Sequence, residues 1–198
     1  MSERSNQQVL NPLAGRRILL GVSGSIAAYK AAPLTRLLVK AGAEVQVILT
    51  EAAAAFVTPL TLGTLSKKPV LTGFLRDAAA GEWHNHVELG LWADALLIAP
   101  ASANTIGQLA NGLCPNLLCA VYLSARCPVF LAPAMDLDMF AHPAVTQNLA
   151  RLSSFGNHIF DSPSGELASG LSGAGRMLEP EDMVAELMRF FEQGRNKK

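Results

Sequence analysis

The chain has 198 residues, half of them hydrophobic and 16% charged, and its sixteen basic side chains balance sixteen acidic ones. That length builds one domain with a sizeable core. No apolar run approaches the ~18 residues of a membrane-spanning helix, and the only basic cluster is Lys197–Lys198, which argues against nucleic acid as a partner.

Residues 1–15, MSERSNQQVLNPLAG, lack the apolar core of a signal peptide and read as a disordered lead-in to a domain over 16–193. RRILLGV (16–22) is a short apolar run ending in the glycine turn SGS, a first strand. A helical period runs from Ser25 to Ala41, and Gly42 closes it. AEVQVILT (43–50) alternates and is β-branched, a second strand. ADALLIAP (93–100), CPVFLAP (127–133) and the short NHIF (157–160) supply three more. Helical periods at 104–112, 116–126 and 143–155 fall between them, a last helix is predicted over 180–193, and 194–198 is a polar tail. Strands alternating with helices predict a single doubly wound α/β domain with a parallel sheet covered on both faces. Residues 161–179 are too rich in Gly and Ser for a packed element, and a structureless loop of that length is usually functional or disordered.

Cys114, Cys119 and Cys127 form no CxxC pair, which fits reduced thiols and a cytoplasmic location. A composition this apolar without a membrane span also suggests surface hidden in an oligomer.

In open α/β sheets the ligand sits beyond the carboxyl ends of the strands. Those ends carry Ser23-Gly24-Ser25, Thr50-Glu51, Ser102-Ala103-Asn104 and Ala134-Met135-Asp136, all small or polar groups suited to one composite pocket. GVSGSIAAYKA resembles a phosphate-binding turn, although it is neither a P-loop nor GxGxxG; a plain strand-to-helix turn is the alternative. Thr50 stands where a dinucleotide site would place its acid, which favours a mononucleotide, FMN, over NAD; Glu51 keeps NAD as the minor option. Ser102 or Asn104 could equally be a helix cap. His84 and His86 are two apart with no third ligand nearby, so no metal is expected. His86 is a candidate acid–base group, against the alternative of a structural histidine. Cys119, on an apolar helix, is expected in the core; Met135, Met139 and Met177 could line the pocket or fill the core. Arg176 is a candidate partner for phosphate or carboxylate, with a solvated surface role as the alternative.

Four stretches, GVSGSIAAYKA, HVELGLWADALLIAPASANTIGQLANG, PAMDLDMF and GELASGLSGAGRMLEPE, together resemble the homo-oligomeric flavin-containing cysteine decarboxylases. The likeness is nearest to the branch acting on phosphopantothenoylcysteine and spans about residues 16–190. It implies a Rossmann-like (flavodoxin-like) fold, FMN bound between subunits of a trimer or dodecamer, and decarboxylation of 4'-phosphopantothenoylcysteine to 4'-phosphopantetheine in coenzyme A biosynthesis. The implied flavin contacts are Ser23, Gly24, Ser25, Thr50, Ser102, Ala103, Asn104 and Ala132. His86 is implied as catalytic, and Met135, Asp136, Met139, Ala168, Ser169 and Gly170 as the substrate clamp, beside which Arg176 stands as a candidate substrate-binding residue. Bacterial fusion members carry a ligase domain that follows about where this chain stops, so the chain corresponds either to a standalone decarboxylase or to the first part of a fusion.

Two residues depart from the family's pattern. The turn reads PAMD where the family has PAMN, and the loop reads LASG where the family has LACG, with the cysteine as acid. A carboxylate facing the substrate carboxylate at about 4 Å costs roughly 4 kcal/mol at an effective dielectric near 20. A protonated Asp136 could instead donate a hydrogen bond and take over the acid role that Ser169 cannot fill. The alternatives are Asp136 as a cap bonded to the N–H near Met139, or a lost acid that leaves an enethiol as product. A peptidyl-cysteine decarboxylase and a non-catalytic flavin-binding regulator remain the competing functions.

Overall fold

The computed structural model describes residues 11–77 and 79–195. Five parallel strands form the central sheet: β1 (Arg17–Val22), β2 (Glu44–Leu49), β5 (Ala95–Ala101), β6 (Val129–Pro133) and β7 (His158–Ile159), in the order β2-β1-β5-β6-β7. This is the flavodoxin-like order, and the chain reverses direction across the sheet between β1 and β5. All seven residues of β5 are buried, as a strand covered on both faces requires.

Side-chain alternation divides the core into two layers. Ile18, Leu20, Val22, Leu97 and Ala132 face one side, where they pack beneath α1 (Ala31–Lys40) and α8 (Pro180–Arg195) through Leu34, Leu38, Met183 and Leu187. Leu19, Leu96, Ile98 and Leu131 face the other, beneath α4 (Ala103–Ala110), α5 (Leu117–Ser124) and α7 (Pro143–Ser154). Gly21 is needed where α5 crosses the sheet, because a Cβ there would collide with Leu118.

The structure corrects several expectations. The helix foreseen over 25–41 is broken into a 3-10 turn (Ile26–Lys30) and α1. Residues 11–15, expected in a disordered lead-in, form a turn that places Leu13 at 0% exposure in the core; residues 1–10 lie outside the described residues. The predicted last helix continues into the expected tail. Between β2 and β5, where no element was predicted, lie a 3-10 turn (Glu51–Ala55), α2 (Pro59–Ser66), the hairpin β3 (Leu75–Asp77)–β4 (Glu82–Trp83), and α3 (His86–Trp92). A short α6 (Leu137–Ala141) follows β6. The 161–179 segment is not structureless: β8 (Gly165–Glu166) pairs antiparallel with β9 (Ser172–Gly173). Among the described residues, no helix is long and apolar enough to cross a membrane.

Candidate active site

Three strand ends are capped alike. Ser25 Oγ accepts the Ala27 N–H at 3.2 Å, Thr50 Oγ1 that of Ala53 at 3.3 Å, and Ser102 Oγ that of Thr105 at 3.3 Å. Each hydroxyl satisfies a free N–H in the first turn of a short helix, and the three turns stand beyond β1, β2 and β5, flanking the point where the sheet reverses. Between Ser102 and Asn104, the cap is therefore Ser102; Asn104 is exposed and accepts a bond from Gln108. Ser23 is a strut. Its Oγ donates to the Pro100 carbonyl at 2.7 Å and accepts the Ser102 N–H at 2.9 Å, which ties β1 to β5. Gly24 allows the first and second strand ends to touch, since a Cβ would stand 2.6 Å from the Cβ of Ala52. Ala132, expected among the cofactor contacts, is fully buried in the sheet and cannot line a pocket with its side chain.

Beside these turns a cavity of about 570 Å³ is lined by Ser25, Lys30, Met135, Asp136, Ala168 and Arg176, among others. The Met135 N–H donates to the Gly175 carbonyl at 3.0 Å, so the PAMD turn is pinned to the segment leaving the β8–β9 hairpin. Asp136 is the residue before α6 but makes no side-chain cap bond. The capping alternative is thereby removed, and its carboxylate is left at the cavity wall. Ser169 and Gly170 sit exposed on the hairpin tip, closed by Leu167 N–H to Leu171 O at 2.8 Å. Of the three methionines, Met135 reaches the cavity from a half-buried position, Met177 reaches it from the core at 1% exposure, and Met139 stands out at 49%.

His86 is not on this cavity. It opens α3, capped by Asn85, whose Oδ1 accepts the Val87 and Glu88 N–H groups. Helix α3 packs against α5, on the face of the sheet opposite α1 and α8. The imidazole rests 5.8 Å from the Trp83 ring, and its Nδ1 is buried without a hydrogen-bond partner. A buried polar atom with no partner marks either strain or a missing contact. His84 next to it is held below its ordinary pKa by burial and by the Arg76 charge.

Lys30 is a site residue that the sequence reading passed over. Its side chain is only 8% exposed, and its ammonium donates to Glu179 Oε1 at 2.8 Å and to the Met177 carbonyl at 3.2 Å. Arg176 Nη2 donates to the same Glu179 oxygen at 3.2 Å. The available signal was a lone lysine inside the apolar run IAAYKAAP. Cys119 is buried as expected, and burial pushes its thiol up to about 11. Among the described residues no cluster of His, Cys, Asp or Glu could hold a metal. A second cavity of about 470 Å³, at the amino ends of β6 and β7, holds none of the candidate residues.

The family model for flavoproteins matches residues 6–192. A cysteine/cysteine sulfinic acid decarboxylase from an unidentified prokaryote is 62% identical over 135 residues, covering 68% of this chain and 37% of that protein. The coenzyme A biosynthesis bifunctional protein CoaBC of Vibrio vulnificus is 46% identical over 183 residues, covering 92% of this chain and 45% of that one. The chain thus spans less than half the length of these curated relatives. Among solved structures, a PPC decarboxylase variant complexed with pantothenoylaminoethenethiol superposes with a TM-score of 0.80 at 34% identity, over 90% of this chain and 99% of that one. The FMN-dependent cysteine decarboxylase SpaF gives 0.75 at 27%, over 91% and 99%. The sheet order and the capped strand ends agree with that likeness, and the chain belongs to the flavoprotein family.

Proposed function

We propose that the chain is an FMN-dependent carboxy-lyase that converts 4'-phosphopantothenoylcysteine to 4'-phosphopantetheine in coenzyme A biosynthesis. The observation that carries this reading is the match, over nearly the full length of a PPC decarboxylase, to a structure holding an aminoethenethiol. The residues present fit FMN. Three capped turns at the reversal point offer N–H groups to one phosphate, and Gly24 keeps the first turn close-packed. When bound, FMN supplies reversible two-electron oxidation, the electron sink that loss of CO2 from a cysteine requires.

The chain's own groups have three tasks in this reading. His86, with Nδ1 held away from solvent, presents its other ring nitrogen to the substrate as the acid–base or carboxylate-placing group. Asp136, uncommitted to a cap, donates the proton that the product carbon needs after CO2 departs. Ser169, on the exposed tip, positions the substrate when the hairpin folds over it and excludes water.

One chain carries two half-sites on opposite faces, so His86 of one copy must meet the Asp136 cavity of another. Exposed apolar side chains flank both halves. Trp83 lies beside His86, Leu75 pairs with Trp83, and Val87 and Leu91 share the helix of His86; Ile26 and Tyr29 line the cavity, and Met139 and Leu171 are exposed on the two segments that wall it. Two different surfaces that fit each other make a head-to-tail contact that closes into a ring, and we assign a trimer, alone or within a dodecamer.

A second reading rests on the 62% identity to the cysteine/cysteine sulfinic acid decarboxylase: the substrate is the free amino acid. The test is CO2 release by FMN-loaded protein offered 4'-phosphopantothenoylcysteine, cysteine and cysteine sulfinic acid separately. Release from the first alone supports the main reading; release from the amino acids alone replaces it.

A further inference from the structure

The roles above leave the buried Lys30 without a task. Its side chain is 8% exposed, against 44% for Glu179 and 40% for Arg176, and one oxygen of Glu179 holds both cations. A single carboxylate is neutralised by one cation. Lys30 cannot leave, because a desolvated ammonium without its partner is costly. Arg176 can leave, since it is part-exposed and borders the cavity. Its stem runs over Gly165, where a Cβ would stand 2.7 Å from Nη1, so the glycine gives the guanidinium a lane along β8. The cavity needs such a cation: Glu166 lines it, and an anionic ligand entering would meet its carboxylate.

We propose that Arg176 is an exchangeable anion receptor, parked on Glu179 until an anionic group of the substrate takes it, and that Lys30 is a positioning residue that makes the exchange possible. Lys30 keeps Glu179 neutralised after Arg176 departs, so no charge is stranded. The planar fork of Arg176 then meets a carboxylate or a phosphate with two parallel bonds. The proposal uses the decarboxylase reading only to name the anion: the cysteine carboxylate or the phosphate of 4'-phosphopantothenoylcysteine.

The test is a thermodynamic cycle on FMN-loaded protein, read as calorimetric Kd for 4'-phosphopantothenoylcysteine and for pantothenoylcysteine, which lacks the phosphate. Lys30→Met makes Arg176 the sole cation on Glu179 and should weaken binding about tenfold. Glu179→Gln frees Arg176 and should tighten it. The double variant should bind as tightly as Glu179→Gln alone, a rescue that a merely structural lysine would not give, and Lys30→Arg should bind as the parent does. Effects confined to the phosphorylated ligand identify the phosphate as the anion; equal effects on both identify the carboxylate. If Lys30→Met does not fold, the gain from Glu179→Gln must vanish in an Arg176→Gln background. Additive effects, a double variant no tighter than Lys30→Met, or a parent that binds neither ligand would overturn the exchange. Binding with the expected cycle but no CO2 release would instead sink the decarboxylase reading alone.

Discussion

The Ser102 N–H donates to Ser23 Oγ across the reversal point of the sheet, at 2.9 Å, between residues 79 positions apart in the chain. Ser23 is 1% exposed, so this bond replaces water on both groups. It fixes where α4 begins relative to the β1 turn, and hence the spacing of two of the three capped turns.

Ser23→Ala should therefore do more than remove a hydroxyl. It leaves the Ser102 N–H without its partner, at a cost of about 1–3 kcal/mol, and lets the two turns drift apart. Lower thermal stability together with weaker FMN retention after dialysis is the expected outcome. Parental FMN content would show that the strut does not set the phosphate site.

Asp136 makes no cap bond, so Asp136→Asn should change stability by no more than about 0.5 kcal/mol, as for other surface substitutions. Its effect should fall on the product. With Ser169 unable to donate, Asp136→Asn should release the oxidised enethiol, and adding Ser169→Cys should restore net decarboxylation. Identical products from all four members of this cycle would show that Asp136 carries no proton.

The two half-sites predict complementation. His86→Asn and Arg176→Gln should each bind FMN yet lack activity. Random mixing of the two chains before assembly should return function to roughly a quarter of the sites. A mixture as inactive as its parts would place both residues in one chain's own site.

Much of this was legible in the sequence, for reasons that are local. Alternation in EVQVIL and the buried run ALLIAPA announce strands, and Ser102 announces a cap, whereas the caps at Ser25 and Thr50 emerge only in the structure. The hairpins were not legible because two- and three-residue strands carry no period. Leu13 was misread because a polar segment hides one side chain that plugs the core. Lys30 and Glu179 are 149 residues apart, and nothing in either neighbourhood points to the other. The separation of His86 from Asp136 is a property of the folded sheet, not of any motif.

Acid should loosen the sheet at a definable place. Burial raises the Asp94 carboxyl, but hydrogen bonds from the Arg17 N–H and guanidinium outweigh it and hold it below its ordinary value of 3.8. A depressed folded pKa contributes stability above the unfolded value, lost as pH falls through the folded one. Asp94→Asn should thus lower stability at neutral pH and flatten its decline below pH ~3.8. Parallel acid-denaturation curves for parent and variant would contradict this.

The most direct test of the account is the mass of the product formed from 4'-phosphopantothenoylcysteine by FMN-loaded protein. Loss of CO2 alone is expected, giving 4'-phosphopantetheine, with the flavin oxidised again at the end of the cycle. Loss of CO2 together with two hydrogens, or no change in mass, would contradict it.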